Sequence, residues 1–220
     1  MEYDVTHYSK ITSTLYSSAA LLAAKAYFDN PAHIYLCPKE GTRLKQLTWL
    51  LGVNLKMQLN YGAESFCYPE QGEVQAMAFW TRPNSSPINT AIKIKSGLLK
   101  VPFKMGWHGF KRVMDISARI DEQLSRTMGT DQDYLYLNNM VMTESKRGKG
   151  WGSKILENQF EVIAKEEPEA VLALQTQRYW TVRFYERLGF KVILEETTGS
   201  GPLAFPNWTM KKEFSDLFKS

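Results

Sequence analysis

The sequence is short of the residues that build metal centres and disulfide frameworks. Its 220 residues include two cysteines, Cys37 and Cys67, and three histidines. So few ligands do not make a metal cluster of the common kinds, and two thiols do not make a disulfide framework. We therefore expect no metal, and we expect both cysteines to be buried and reduced.

Long apolar runs are also missing. A membrane-spanning helix needs roughly 20 apolar residues, and the candidate run AALLAAKAYF at 19–28 is shorter and interrupted. The first residues, MEYDVTHYSK, are acidic and lack the apolar block of a signal peptide. These absences predict a cytoplasmic chain without stable membrane insertion.

The excess of positive charge is small. A net charge of +4 suits an anionic ligand and is too low to indicate nucleic acid by itself. The basic residues also do not follow one continuous recognition face, so we expect no nucleic-acid partner.

The first half of the chain predicts helices around a hairpin. Apolar residues at 15, 19, 22, 23 and 26 recur at helical spacing, and Asn30-Pro31 is expected to end that helix. A second helix is predicted over 41–59. Residues 63–69 and 73–80 flank the turn-like EQGE and predict an antiparallel hairpin. The loop TRPNSSP and about 40 mostly helical residues follow, with one apolar face formed by Val113, Ile116, Ile120 and Leu124.

The second half alternates strands and helices. Strands are predicted over 133–142, 170–176 and 190–196, and helices over 150–165 and 181–188. This alternation predicts an α/β fold, as a single domain over 1–220 with a helical insertion at about 81–131. The segment NWTMKKEF near the C-terminus is expected to close the sheet. The residues of the 150–165 helix that we expect to face inward are Leu156, Phe160 and Ile163.

A glycine-rich stretch, RGKGWGS at 147–153, stands directly between a predicted strand and a predicted helix. Glycines there let backbone N–H groups converge on a ligand. The first helical turn supplies uncapped N–H donors and the positive end of the helix dipole. The stretch therefore predicts a cradle for phosphate or pyrophosphate. Cations are unfavourable at a helix start and become favourable opposite a polyphosphate; they are Lys146, Arg147, Lys149 and Lys154.

Three phosphate ligands compete for this turn. A P-loop needs glycine, four residues and then Gly-Lys-Ser/Thr, which the chain lacks. A dinucleotide fold needs G-x-G-x-x-G near its first strand, and GKGWGS has a different spacing late in the chain. The third interpretation is the pyrophosphate of acyl-CoA. An empty glycine-rich turn is the alternative without a ligand.

The motifs then resemble a known family. Arg147-x-x-Gly150-x-Gly152 after the strand YLNNMVM, followed about thirty residues later by VRFYERLGF, resembles the GNAT acetyltransferase superfamily. Within that superfamily the likeness is closest to puromycin N-acetyltransferase-like proteins. The strong match covers roughly residues 134–195.

The resemblance implies a mixed sheet with helices on both faces. Its strands over 134–142 and 170–176 would splay apart around the pantetheine arm of acetyl-CoA, with no metal. Tyr185 would be the general acid that protonates the departing thiolate, since a phenol and a thiolate have comparable basicity. The implied cofactor-binding residues are Met140, Val141, Met142, Arg147, Gly148, Lys149, Gly150, Trp151, Gly152 and Ser153.

The chain departs from the family pattern where a base is expected. Relatives often place a glutamate on one splayed strand, and this chain has Asn138 and Gln175 at the matching positions. Neither amide can act as a base. Arg178 replaces an asparagine that often precedes the FYERLGF helix. The base is therefore unassigned, and a non-catalytic acyl-CoA-binding sensor is an alternative.

The segment KSGLLKVPFKMGWHGFKRVMD mixes aromatic and basic residues. It fits a lid over the acceptor site, a membrane-surface helix, or aromatics packed on the core with solvated lysines. His108 within it is a candidate base.

Together these features predict an acetyl-CoA-dependent N-acetyltransferase. The amine of a small molecule would attack the thioester directly in a ternary complex, helped by backbone N–H groups near Met140. A peptide or protein N-terminus or lysine is the alternative acceptor, and a homodimer is compatible with this interpretation.

Overall fold

The computed structural model describes residues 8–60, 62–84, 90–129 and 133–214. The helices in these ranges are α1 (Tyr16–Ala26), α2 (Pro31–Leu36), α3 (Glu40–Asn60), α4 (Thr90–Lys95), α5 (Val101–Met128), α6 (Trp151–Glu166) and α7 (Tyr179–Arg187). The strands are β1 (Glu64–Glu70), β2 (Glu73–Thr81), β3 (Leu135–Met142), β4 (Val171–Thr176), β5 (Lys191–Thr198) and β6 (Phe205–Glu213). The predicted hairpin and the predicted α/β alternation are confirmed; residues 85–87 of the predicted loop TRPNSSP lie outside the described ranges.

The strands form one mixed sheet in the order β1-β2-β3-β4-β6-β5. β3 and β4 run parallel, and every other neighbouring pair runs antiparallel. The sequence predicts that the last strand closes the sheet. The structure instead inserts β6 between β4 and β5, because its mostly buried side chains need cover on both faces.

β3 and β4 separate soon after they begin. Their pairing is limited to Leu135 with Leu172 and Tyr136 with Ala173. Beyond Tyr136 the β4-facing edge of β3 has no strand beside it among the described pairings. The splayed slot implied by the resemblance is therefore present.

A β-bulge lies at Asn138. Phe79 pairs with Asn139 and Trp80 pairs with Leu137, so Asn138 is the extra residue of β3. A bulge shifts the alternation of side chains. After it, even-numbered residues of β3 face the side that odd-numbered residues face before it. The bulge therefore sets which side chains of the open edge face α6.

Helices cover both faces of the sheet. α6 and α7 pack on one face, and α1 and α3 pack on the other. The inward residues predicted for α6 are buried, namely Leu156, Phe160 and Ile163. Both cysteines are buried and free.

The junction between α1 and α2 differs from the prediction. α1 ends at Ala26, before the predicted stop. Asn30 instead begins α2: its side chain accepts a hydrogen bond from the Ala32 N–H, and Pro31 fills the first helical position. An Asn-Pro pair suits a helix start as well as a helix end, and here it serves the start.

α5 is long and bent at Gly106, whose φ of 72° and ψ of 171° are not helical. Its predicted apolar face is at least half-buried, through Val113, Ile116, Ile120 and Leu124. The interpretation in which the aromatics of this region pack on the core is wrong for Phe103 and Trp107, which are exposed.

Candidate active site

One cavity of about 1240 Å³ extends from the start of α6, through the slot between β3 and β4, to α3 and α5. Ligand pockets are commonly about 300–1,000 Å³, so this cavity has room for more than one small molecule. Its lining is mostly apolar on the α3 and α5 side and cationic near α6 and α7.

The glycine turn has the geometry of an anion cradle. Gly148 and Gly150 have φ values of 71° and 78°, in the left-handed region. A Cβ at either position would meet nothing within 4 Å, so the chain itself does not fill the space above the turn. Gly150 precedes α6 without a side-chain cap, and no acidic residue lies in the first turn. The N–H groups of this turn are therefore available to an anion.

The four cations of the turn have different roles. Lys146 Nζ lies 2.6 Å from Glu70 Oε1 and 4.3 Å from the centre of the Trp151 ring, so its charge is already paired. Arg147, Lys149 and Lys154 are exposed. The prediction that all four face a polyphosphate therefore applies at most to these three.

Close packing holds the turn against the slot. A Cβ on Gly152 would lie 3.1 Å from Met142 Cε and 3.2 Å from Phe184 Cζ. This distance is too short for most side chains, so glycine lets α6 approach both β3 and α7. The glycines of RGKGWGS thus have two functions. Gly148 and Gly150 adopt a left-handed conformation, and Gly152 allows close packing.

Tyr185 lies in α7, lines the cavity and is 7% exposed. Burial raises its pKa well above the ordinary value, and the neighbouring phenols of Tyr27 and Tyr136 add to the shift. The hydroxyl therefore stays protonated at any ordinary pH, as a proton donor must. Its ring packs edge-on against Phe184 and Phe190, which fixes its position.

Tyr27, in the turn after α1, connects three parts of the slot. Burial raises its pKa to about 12, and a backbone hydrogen bond with Met140 opposes that shift. Its ring stacks on His33, with centroids 4.5 Å apart and planes 6° apart. Met140, Tyr185 and His33 therefore surround one region of the cavity.

The hydrogen bonds of His33 determine its tautomer. The Ala32 N–H donates to Asn30 Oδ1 at 3.0 Å, which fixes that atom as the amide oxygen. His33 Nδ1 lies 3.1 Å from the same oxygen and must carry a proton to bond with it. Nε2 then carries the lone pair. Burial, and secondarily the charge of Arg178, lower the pKa of His33 to about 4, so the ring is neutral at neutral pH.

A chain of side-chain amides continues from Asn30 across the molecule. Each amide donates from its nitrogen to the oxygen of the next, over 3.1, 2.7 and 2.8 Å, and the last donates to a carboxylate at 3.3 Å. The uniform direction polarises every link toward the carboxylate and so favours the proton on His33 Nδ1. In order, the members are Asn30, Gln177, Asn207, Gln123 and Glu196.

Asn138 and Gln175 stand where relatives often have a glutamate base, and both side chains make hydrogen bonds to other side chains. Asn138 Oδ1 accepts from Asn54 and Asn139. Gln175 Nε2 donates to Gln123 Oε1 and to Thr209 Oγ1, each at 3.1 Å. Both amides therefore serve to position other groups.

Among the described residues that line the cavity, Asp121 in α5 is the only one with a carboxylate side chain. Desolvation raises its pKa, and the charge of Lys93 opposes the shift. Within the described ranges, no three His, Cys, Asp or Glu side chains are grouped to hold a metal ion.

Most residues singled out in the sequence meet at this cavity. Of the ten implied cofactor-binding residues, nine line it and Lys149 does not; Tyr185, Asn138, Gln175 and Arg178 also line it. His108 is exposed and does not line the cavity, so it is not placed to act as the base.

Three residues that line the cavity were not predicted from the sequence, namely Tyr27, His33 and Asp121. The sequence contained one local pattern near these residues: His33 follows Asn30, which begins α2, by three positions. That spacing is common at helix starts and does not indicate a binding residue.

Residues 117–192 match the family model for the acetyltransferase (GNAT) domain. An uncharacterized N-acetyltransferase of Schizosaccharomyces pombe is 23% identical over 177 residues, which are 80% of this chain and 70% of the relative. Both matches are likenesses to acetyltransferases, and they support an acyltransferase activity for this chain.

Solved structures share the fold. The C-terminal condensation domain of Ebony, in complex with beta-alanyl-dopamine, aligns with a TM-score of 0.64 and 13% identity over 94% of this chain and 98% of its own. Arylalkylamine N-acetyltransferase 2 from Aedes aegypti aligns with a TM-score of 0.59 and 15% identity, also over 94% and 98%. At these identities the likeness concerns the fold alone.

Proposed function

We propose that this chain is an acetyl-CoA-dependent N-acetyltransferase that acts on a primary amine of a small molecule. The observation that carries the proposal is that one cavity contains both an uncapped glycine turn suited to pyrophosphate and a buried proton donor, Tyr185. Two solved structures of the same fold are named for arylalkylamines or hold a dopamine derivative. We also propose, from the motifs in the sequence, that the chain is most similar to puromycin N-acetyltransferase-like proteins.

The residues around the slot fit CoA by their chemistry. In this proposal the turn from Gly148 to Ser153 holds the pyrophosphate, with Arg147 and Lys149 beside it. The open edge of β3 offers the backbone of Met140, Val141 and Met142 to the amides of the pantetheine arm, because no strand pairs there. Acetyl-CoA supplies an activated acetyl group as a thioester.

Tyr185 protonates the departing thiolate in the proposed reaction. Its raised pKa keeps the hydroxyl protonated before the thiolate leaves, so that the proton is available for donation. The Met140 N–H, now close to the Tyr27 hydroxyl, would polarise the thioester carbonyl once the cavity is filled.

His33 accepts the proton of the attacking amine. It is the imidazole among the described cavity-lining residues, its Nε2 carries the lone pair, and Tyr27 holds its ring beside Met140. Burial is the main cause of the low His33 pKa; a pyrophosphate near Arg178 would offset the smaller contribution of that arginine and so raise the basicity of His33. Asp121 attracts the cationic amine to the α5 side.

Ligand-induced stabilisation tests the cofactor. Acetyl-CoA at about 100 times its dissociation constant is expected to add roughly 2.7 kcal/mol to the free energy of unfolding. For a chain of this length that is a rise in Tm on the order of 5–10 °C. Thiol release with a panel of amines, including puromycin, arylalkylamines and lysine peptides, then separates the acceptors. No shift in Tm would contradict every CoA-based function, whereas a shift without thiol release would favour the sensor.

Replacing Gly150 by alanine is expected to weaken acetyl-CoA binding about tenfold or more. Alanine is strained at a φ of 78° by about 1–2 kcal/mol and would turn the N–H groups away from the ligand. Isothermal titration measures the affinity. Gly201→Ala is the matched control, because Gly201 has a φ of 65° with no neighbour within 4 Å and lies outside the cavity. Equal affinities for both variants would remove the turn from the cofactor site.

A further inference from the structure

The chain carries an unusual surface between β2 and the second part of α5. No aspartate or glutamate occurs from residue 74 to residue 114, while seven lysines and arginines do. Among these, Lys95, Lys100, Lys104 and Lys111 are exposed. Arg82 is paired with carboxylates from other parts of the fold and Lys93 faces Asp121, so the positive potential of the segment rests on the four exposed lysines.

Large apolar side chains protrude within this basic segment. Leu99, Phe103 and Trp107 are 63%, 90% and 60% exposed, and all three lie within nine residues. Side chains of this size are normally covered in a soluble domain, and clusters of them mark interaction sites. We name Leu99, Lys100, Phe103, Lys104 and Trp107 the basic-aromatic ridge.

We propose that the basic-aromatic ridge docks the protein on an anionic lipid surface. Separate protruding side chains enter the interface between headgroups and acyl chains, and exposed lysines around them meet the lipid phosphates. The bend at Gly106 separates the short turn that carries Phe103 from the long helix that starts at Trp107. Both aromatics therefore project from the end of α5 and not from a flat helical face.

The chemistry favours lipid over other anionic partners. A protein partner needs a complementary patch of about 800 Å², whereas a bilayer accepts isolated apolar tips of any shape. A single-stranded nucleic acid would use the lysines for its phosphates and the aromatic rings for base stacking, but it would leave Leu99 without a partner, whereas a bilayer accepts all three apolar side chains. Docking by a ridge is also consistent with the helices of the described ranges, none of which is long and apolar enough to cross a membrane.

The position of the ridge relates it to the cavity. Leu98 and Val101, next to Leu99 and Lys100, line the cavity on its α5 side. Docking would place that side of the cavity at the lipid surface. The docking proposal does not depend on the acetyl-transfer chemistry and can be tested in its absence.

Vesicle flotation tests the proposal with the full chain. We expect binding to vesicles of phosphatidylcholine mixed with phosphatidylserine, little binding to phosphatidylcholine alone, and release by salt. Lys100→Ala and Lys104→Ala should each lower the partition coefficient about fivefold at low ionic strength. The double variant Phe103→Ser, Trp107→Ser should lower it about tenfold or more.

The control is Tyr179→Ser, since Tyr179 is 64% exposed and lies outside the ridge; it should bind vesicles like the natural sequence. Because all substituted side chains are exposed, unchanged Tm values will show that folding is intact. Absence of binding to anionic vesicles would overturn the proposal. The proposal would also be overturned if the double aromatic variant bound anionic vesicles as well as the natural sequence does. If the protein bound heparin but not vesicles, and the aromatic substitutions left heparin binding unchanged, the lysines would be binding a polyanion and not a lipid surface.

Discussion

Tyr185→Phe is expected to lower kcat about 100- to 1,000-fold, with little change in the KM for acetyl-CoA. General acid catalysis contributes about 10²–10⁴ in rate, and phenylalanine removes the proton while keeping the ring. The ring itself packs against Phe184 and Phe190, so its position should persist. Thiol release under saturating substrates measures the effect.

The matched control for this substitution is Tyr68→Phe. Tyr68 in β1 is 5% exposed, packs in the same core as Tyr185 and lies outside the cavity. It tests whether removal of any buried phenolic hydroxyl lowers activity through stability. A Tyr185→Phe enzyme with turnover within a factor of about three of the natural one would remove Tyr185 from the acid role, since a lost general acid costs far more.

His33→Gln is expected to lower kcat about 100-fold at neutral pH. Glutamine can still donate to Asn30 Oδ1, so the amide chain keeps its first donor, but a neutral amide cannot accept a proton. The loss should shrink at high pH, where a larger fraction of the free amine is already neutral. A constant loss at every pH would instead indicate that His33 only shapes the cavity.

The same residue predicts a dependence of stability on pH. A histidine with a pKa near 6.5 when unfolded and about 4 when folded binds its proton more tightly in the unfolded chain between these values. Stability therefore falls as pH drops through this window, and the effect is absent above it. At pH 4.5 the difference is at most about 2.5 kcal/mol, or on the order of 5–10 °C in Tm.

His33→Gln should remove that part of the acid sensitivity, and thermal unfolding at pH 7 and pH 4.5 measures it. His108→Gln is the control, because His108 is exposed and does not line the cavity. If both variants lose as much Tm on acidification as the natural chain, His33 is not buried as neutral imidazole.

Local patterns predicted much of the fold. The hairpin follows from two strand-like segments around EQGE, and α6 follows from apolar spacing after RGKGWGS. Such features depend on neighbours within about ten residues, which sequence spacing records directly. The glycine turn belongs to the same class, since its conformation at 148 and 150 needs only glycine.

Other parts of the site depend on contacts between distant residues. The amide chain joins Asn30 to Gln177 and Asn207, and no spacing rule links positions so far apart. The β-bulge at Asn138 depends on the register with β2. The place of β6 between β4 and β5 likewise depends on how the whole sheet is buried.

The sequence by itself determined the strand, the glycine turn and the helix start on which the proposed pyrophosphate site rests. It did so because the groups proposed to bind the anion are consecutive backbone N–H groups, whose geometry is local. Only the tertiary structure decided the acceptor side. The proposed acceptor residues His33 and Asp121 come from two different helices, and their meeting with Tyr185 in one cavity results from packing the helices around a splayed sheet.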